Sequence, residues 1–170
     1  MSIGQSMLTE FDHEMANTRK MLERIPEDKL SWKPDPKSMS MGELASHLAE
    51  MIGWTKETIT EPSIDITPDF KPFKATSKAE LLKKFEDCSA AARAALASAE
   101  DSGMMAPWKL SMNGQTIFEM PRVGVLRGMI MNHVIHHRGQ LSVYFRLAGV
   151  PVPGMYGPSA DEQQQQASAG

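Results

Sequence analysis

Leu126, Ile130, His133, His137, Leu141, Tyr144 and Ala148 step by four, three, four, four, three and four along the chain. A helix turns residues at that spacing onto one face, so a helix is predicted over about 121–148. Pro121 suits its first turn, where the missing N–H would be unpaired anyway. The same periodicity recurs three times upstream. Leu8, Phe11, Met15, Leu22 and Ile25, with Thr18 among them, predict a helix over roughly 3–24. Ser40 and Glu43 form a capping box ahead of Leu44, His47, Leu48, Met51, Trp54 and Thr58, predicting a helix over roughly 40–60. Ser77 and Glu80 repeat the box ahead of LLKKFEDCSAAARAALASA, an alanine-rich third helix.

Prolines separate these segments. IPEDKLSWKPDPKSM carries three of them and reads as an ordered crossover loop anchored by Trp32. Pro62, Pro68 and Pro72 break the chain again. Asn113-Gly114 between KLSM and QTIF is a turn signal, placing a short hairpin or extended segment before the last helix. The expected fold is therefore all-α, a four-helix bundle whose long first crossover admits topologies other than up-down-up-down. A length of 170 residues suits one core, so one domain is expected over 1–158. Residues 159–170, with DEQQQQASAG at their end, read as a disordered or weakly packed polar tail.

Composition narrows the function classes. A net charge of -3 and a pI near 6.0 argue against nucleic acid as a partner. The chain lacks the run of about 18 apolar residues that would cross a bilayer. MSIGQSMLTEFDHEMANTRK has acids where a signal peptide needs a basic start and an apolar run, so a cytoplasmic protein is expected. Cys88 is the only cysteine; it excludes an internal disulfide and, on the alanine-rich helix, reads as a small buried hydrophobe rather than a nucleophile. Fourteen methionines against two tyrosines imply a soft helical core rather than a Cu(I) site.

The histidines carry the chemistry. NHVIHHRGQL places three of the chain's five within five positions. His133 and His137, one turn apart, share a face with Leu126, Ile130 and Leu141 and point inward, as a metal grip or as two hydrogen-bonded core residues. His47 lies on the inward stripe of the second helix and favours the metal reading, because an isolated imidazole there would need its own partner. Three nitrogens leave coordination positions for water or substrate, as catalytic rather than structural sites do. His136 is rotated about 100° from His137 and is a candidate for proton relay. His13 lies off the apolar stripe and should face solvent. Competing metal folds fail on the same residues: 120–150 contains no acid for a di-iron bundle, and Val134 stands where a zincin protease needs glutamate.

Arg122, Arg127, Arg138 and Arg146 have no balancing acid on their own helix. Two accounts stand: pairing with acids on neighbouring helices such as Glu10, Glu14 or Glu86, or recognition of an anionic substrate, for which Arg138 is the candidate. Gly139 within a helix costs about 1 kcal/mol relative to alanine, implying close contact with another helix, in the bundle or across a dimer.

His47, NHVIHHRGQL and the following LAGVPVPGMYGPSADE closely resemble the DinB-like superfamily, damage-inducible four-helix bundles that include YfiT-type proteins. The resemblance spans nearly the whole chain by helix order, with its specific motifs near the C-terminus. It implies a divalent metal, Zn, Ni or Fe, held by His47, His133 and His137, and a homodimer. Related members transfer bacillithiol or mycothiol, or isomerise maleylpyruvate, so the resemblance implies a metal-dependent thiol S-transferase whose partners are a low-molecular-weight thiol and an electrophile. In such an enzyme His136 and Arg138 are candidate catalytic residues, Gln140 would orient an imidazole, and GMYGPS would close over the site with Tyr156 as a contact. The alternative is a non-catalytic metal-binding stress-response bundle. A metal-free scaffold is disfavoured by the intact histidine trio.

Overall fold

The structure, a computed structural model, describes residues 2–168. Its long helices are α1 (Ile3–Glu23), α2 (Met41–Met51), α4 (Lys78–Ser98) and α7 (Asn132–Leu147), with shorter α3 (Trp54–Thr60) and α5 (Asp101–Met105) between them. Helix α1 packs on α4, α2 and α3 pack on α4, and α7 lies against α1 and α2. Phe11, Met15 and Leu22 of α1, Leu44 and Leu48 of α2, Leu81 and Phe85 of α4, and Leu141 and Phe145 of α7 form one buried core. Met21, Met41, Met51, Met104 and Met131 fill it, as a flexible unbranched side chain allows. Among the described residues no helix is long and apolar enough to cross a membrane.

The first crossover is ordered as expected. Met41 and Gly42 donate backbone N–H groups to the carbonyls of Trp32 and Leu30, each at 2.9 Å, and the Trp32 ring meets Tyr144 edge-on at 5.8 Å. Both capping serines accept at the expected place: Ser40 Oγ from Glu43 N at 3.1 Å and Ser77 Oγ from Glu80 N at 3.2 Å.

Four expectations need correction. The fold is largely helical but not all-α, because β1 (Ser63–Ile66), β2 (Pro107–Met112) and β3 (Gln115–Pro121) form a mixed sheet in that order. The β2–β3 hairpin turns at Asn113 and Gly114, with φ of 52° and 77°, the left-handed pair that a two-residue hairpin requires. Strand β1 pairs with β2 in parallel, a contact between segments over forty residues apart that a four-residue strand between prolines does not announce. Second, the helix expected over 40–60 breaks at Ile52 and Gly53. A Cβ at Gly53 would lie 3.1 Å from Cys88 Sγ, so a larger residue there would press on α4 and the Cys88 side chain would have to give by a few tenths of an ångström.

Third, the last helix is not uniformly α. Helix α6 (Arg122–Gly124) leads into a π-helical stretch, Val125–Met131, before α7. Wider π turns let the adjacent Val125 and Leu126 both be buried, the first under the sheet and the second in the main core. Fourth, the polar tail contains a helix, α8 (Ala160–Ser168), none of whose residues is buried. Its start is tied down by Asp161, which accepts from Val152 N at 2.9 Å and pairs with Arg146, and by Glu162, which accepts from Gly154 N at 2.7 Å.

Candidate metal centre and adjoining cavity

Helix α2 carries His47 toward α7, where His133 and His137 stand one turn apart. The three imidazoles converge. Ring centroids are 5.4 Å apart for His47 and His133, 4.9 Å for His47 and His137, and 4.4 Å for His133 and His137. Each offers one nitrogen, and these nitrogens lie within 4.8 Å of one another. A tetrahedral ion bound at about 2.0–2.1 Å would set them about 3.4 Å apart, so small side-chain rotations close the site. The donor set fits a borderline divalent ion, since imidazole suits Zn, Ni, Cu and Fe and the trio includes no carboxylate.

Two features prepare the nitrogens for a cation. Burial, and then the neighbouring His137 and His133, lower the His47 pKa to about 4, so its ring is neutral at pH 7 and a lone pair is free. Burial likewise lowers His137, partly offset by its contact with Gln140. The Gln140 Oε1 is 2.6 Å from His137 Nδ1, and an amide oxygen can only accept, so Nδ1 carries the hydrogen and Nε2 is left to ligate.

Beside the trio lies a cleft of about 290 Å³, with His47 and His133 in its wall. The sheet supplies Trp108, Leu110 and Phe118, the π stretch supplies Val125 and Met129, and the loop after β1 supplies Phe70. That loop is held to α2 by three successive residues: Phe73 N donates to Glu50 at 3.0 Å, Lys74 pairs with Glu43 at 3.1 Å, and Ala75 N donates to Ser46 Oγ at 3.0 Å. Among the described residues Glu50 supplies the one carboxylate in the wall, and no lysine or arginine joins it. Of these residues, His47 and His133 were read as inward-facing and the strand pair only as a hairpin or extended segment. Glu50 and Phe70 carried no signal, because a loop's resting place depends on partners distant in sequence.

The remaining candidates lie elsewhere. His136 is exposed, with its ring 5.1 Å from that of His137. His13 is exposed, as expected, and its Nε2 accepts from Asn17 Nδ2 at 3.1 Å. Arg138 does not face the cleft. Its guanidinium, 1% exposed, donates to the Glu14 carboxylate, to the Glu14 carbonyl at 2.9 Å and to Thr18 Oγ1 at 3.2 Å. The Tyr156 hydroxyl accepts from Arg138 and donates to Glu14 at 2.9 Å, while its ring lies outward. Desolvation of that hydroxyl, then its bond to Glu14, raises the Tyr156 pKa. Both residues therefore join α7 and the C-terminal segment to α1 rather than line the cavity.

Of the other arginines, Arg127 and Arg146 follow the pairing account and Arg122 does not, meeting backbone carbonyls instead of an acid. Arg127 meets Glu10, Arg146 meets Asp161, and Arg122 donates to the carbonyls of Thr58 and Glu61 at 2.8 and 3.2 Å; Glu86 pairs with Arg19 instead. Gly139 has no atom within 4 Å of where a Cβ would stand, so the contact expected within the bundle is absent. Cys88 is half-buried against the core, and burial pushes its thiol pKa up, away from nucleophilic thiolate.

Comparison with known proteins bears on the fold and the family. YrdA of Bacillus subtilis (strain 168), an uncharacterized protein, is 29% identical over 160 residues, 91% of this chain and 89% of its own. The crystal structure of a DinB-like protein from Bacillus cereus ATCC 10987 matches with a TM-score of 0.69 at 26% identity, covering 89% of this chain and 97% of that one. A DinB-like protein of Bacillus subtilis, YjoA, shares the fold with a TM-score of 0.65 at 21% identity, covering 86% and 95%. The DinB family model matches residues 1–168, and the chain belongs to the DinB family.

Proposed function

We propose that the chain is a metal-dependent transferase that joins a low-molecular-weight thiol to an electrophile, with His47, His133 and His137 holding one divalent ion, Zn, Ni or Fe. The observation that carries this reading is the meeting of three imidazoles, without a carboxylate, at the wall of an apolar cleft. Three protein nitrogens leave positions open, as catalytic sites do. A divalent ion there would serve as a Lewis acid that lowers the pKa of a thiol. In the transfer a sulfur–carbon bond forms, the leaving group departs with its electron pair, and the thiol proton goes to solvent. Exposed His136, beside His137, is the group placed to pass that proton outward. Gln140 keeps His137 in the tautomer that ligates through Nε2. Arg138 and Tyr156 act through Glu14, fixing α7 against α1 so that His133 and His137 face His47.

The test is metal content by mass spectrometry on protein purified without a histidine tag, with His133→Ala and His137→Ala alongside. About one metal per chain, lost in both variants, is the expected result; wild type with no recoverable metal would overturn the reading. The metal-loaded protein is then assayed against a panel of thiols and electrophiles. Stoichiometric metal with no thiol consumed across the panel would leave a non-catalytic metal-binding bundle in its place.

A further inference from the structure

The cleft beside the histidines has a composition that selects its occupant. Its walls are aromatic on two sides: Trp108 and Phe118 lie with ring centroids 6.2 Å apart, and Trp54 meets Phe70 edge-on at 6.4 Å. Among the described residues no lysine or arginine lines it. Arg138, the expected receiver of an anionic substrate, is buried on Glu14. The charge in the wall is Glu50, which accepts from the Phe73 N–H. In the metal-free protein an anionic ligand would thus enter an apolar space with no counter-ion and a carboxylate beside it, losing hydration without replacement.

Volume bounds the size. An apolar cavity of roughly 150 Å³ takes up benzene, and this cleft is about 290 Å³. Two fused rings, or one ring with a short chain, match that space. Phe70 and Met129, 43% and 41% exposed, form its outer edge, so a ligand can enter without unfolding the core.

We infer that the cleft is the binding site for an uncharged, apolar, ring-bearing substrate of about two fused rings in size, seated against His47 and His133, and that the cleft's own side chains select against anions when no metal is bound. As the electrophile's site in the transfer reaction it rests on the proposed function; as a binding site it does not. The measurement is isothermal titration of the full-length protein, as purified and after chelator treatment, with two matched probes at pH 7: neutral 1-naphthalenemethanol and anionic 1-naphthoate. The neutral probe is expected to bind the chelator-treated protein at least tenfold tighter than the anionic one. Met129→Trp, which fills the cleft from its edge, should weaken it at least tenfold, and Phe70→Ala at least threefold. Both positions are partly exposed, and unchanged thermal unfolding verifies that the variants fold. Glu50→Gln should narrow the neutral-to-anion ratio. Equal affinities, preference for the anion, or indifference to both Met129→Trp and Phe70→Ala would overturn the inference. Because the probe is read in metal-free protein, failure of the metal site leaves this result standing, and failure of the probe leaves the metal count standing.

Discussion

Arg138 and Glu14 show how a charged pair survives in the interior: their side chains are 1% and 6% exposed, and the guanidinium is further satisfied by the Glu14 carbonyl, Thr18 and Tyr156. Removing one partner strands the other charge, which typically costs 3–5 kcal/mol, whereas replacing both by apolar groups can be nearly neutral. Arg138→Met is therefore expected to lose about 3–5 kcal/mol in urea unfolding, and Glu14→Leu combined with Arg138→Met to regain most of it. A double variant as unstable as the single one would show that the pair contributes more than charge compensation. Tyr156→Phe, which removes one hydroxyl from the network, should cost about 1 kcal/mol. The histidine trio was legible because His133 and His137 are neighbours by helical spacing and His47 sits on an apolar stripe. The destination of Arg138 was legible only as one of two accounts, pairing with an acid such as Glu14 or recognition of an anion, because Glu14 lies 124 positions away and spacing could not choose between them.

Helix α2 is defined by its start. The Ser40 hydroxyl accepts from Glu43 N at 3.1 Å, and the Glu43 carboxylate accepts from Ser40 N at 2.8 Å. Ser40→Ala should cost about 1 kcal/mol by equilibrium unfolding. The Ser40 N–H and then Lys74 hold the Glu43 pKa down at about 2, against an ordinary 4.5. Between those values the unfolded chain binds the proton that the folded chain refuses, so stability rises with pH across that window. The contribution is complete above about pH 4.5 and is lost as the pH falls toward 2. Glu43→Gln should flatten the melting temperature against pH in that range and leave its slope above pH 5 unchanged; an unaltered acid slope would assign it to other carboxylates. Capping boxes are local, four-residue signals: the one at Ser40 forms in full, whereas at Ser77 only the serine half forms and the Glu80 carboxylate accepts from Thr76 instead. The break at Gly53, the π turns of Val125–Met131 and the parallel β1–β2 pair were not legible, since each is set by what packs against it.

At the scale of the whole molecule, the candidate metal centre joins α2 to α7, segments separated by more than eighty residues. An ion bound only by the folded chain stabilises it by mass action, about 2.7 kcal/mol at a hundredfold excess over Kd. For a chain of this size that is roughly 5–10 °C in melting temperature. Scanning calorimetry with added Zn or Ni should show such a rise, reversed by chelator and absent in His137→Ala; a rise that persists in His137→Ala would place the ion elsewhere. What the sequence determined by itself is what short-range periodicity encodes: four long helical segments, their caps, the Asn113-Gly114 turn, and three histidines set to face inward. What only the tertiary structure decided is which groups separated in sequence come together: β1 beside β2, Arg138 on Glu14 instead of in the cleft, and aromatic side chains from sheet, loop and π stretch around one cavity. The physical reason is that helical spacing and turn conformation are properties of a few consecutive residues, whereas a cavity wall and a buried ion pair exist only once distant surfaces have excluded water between them.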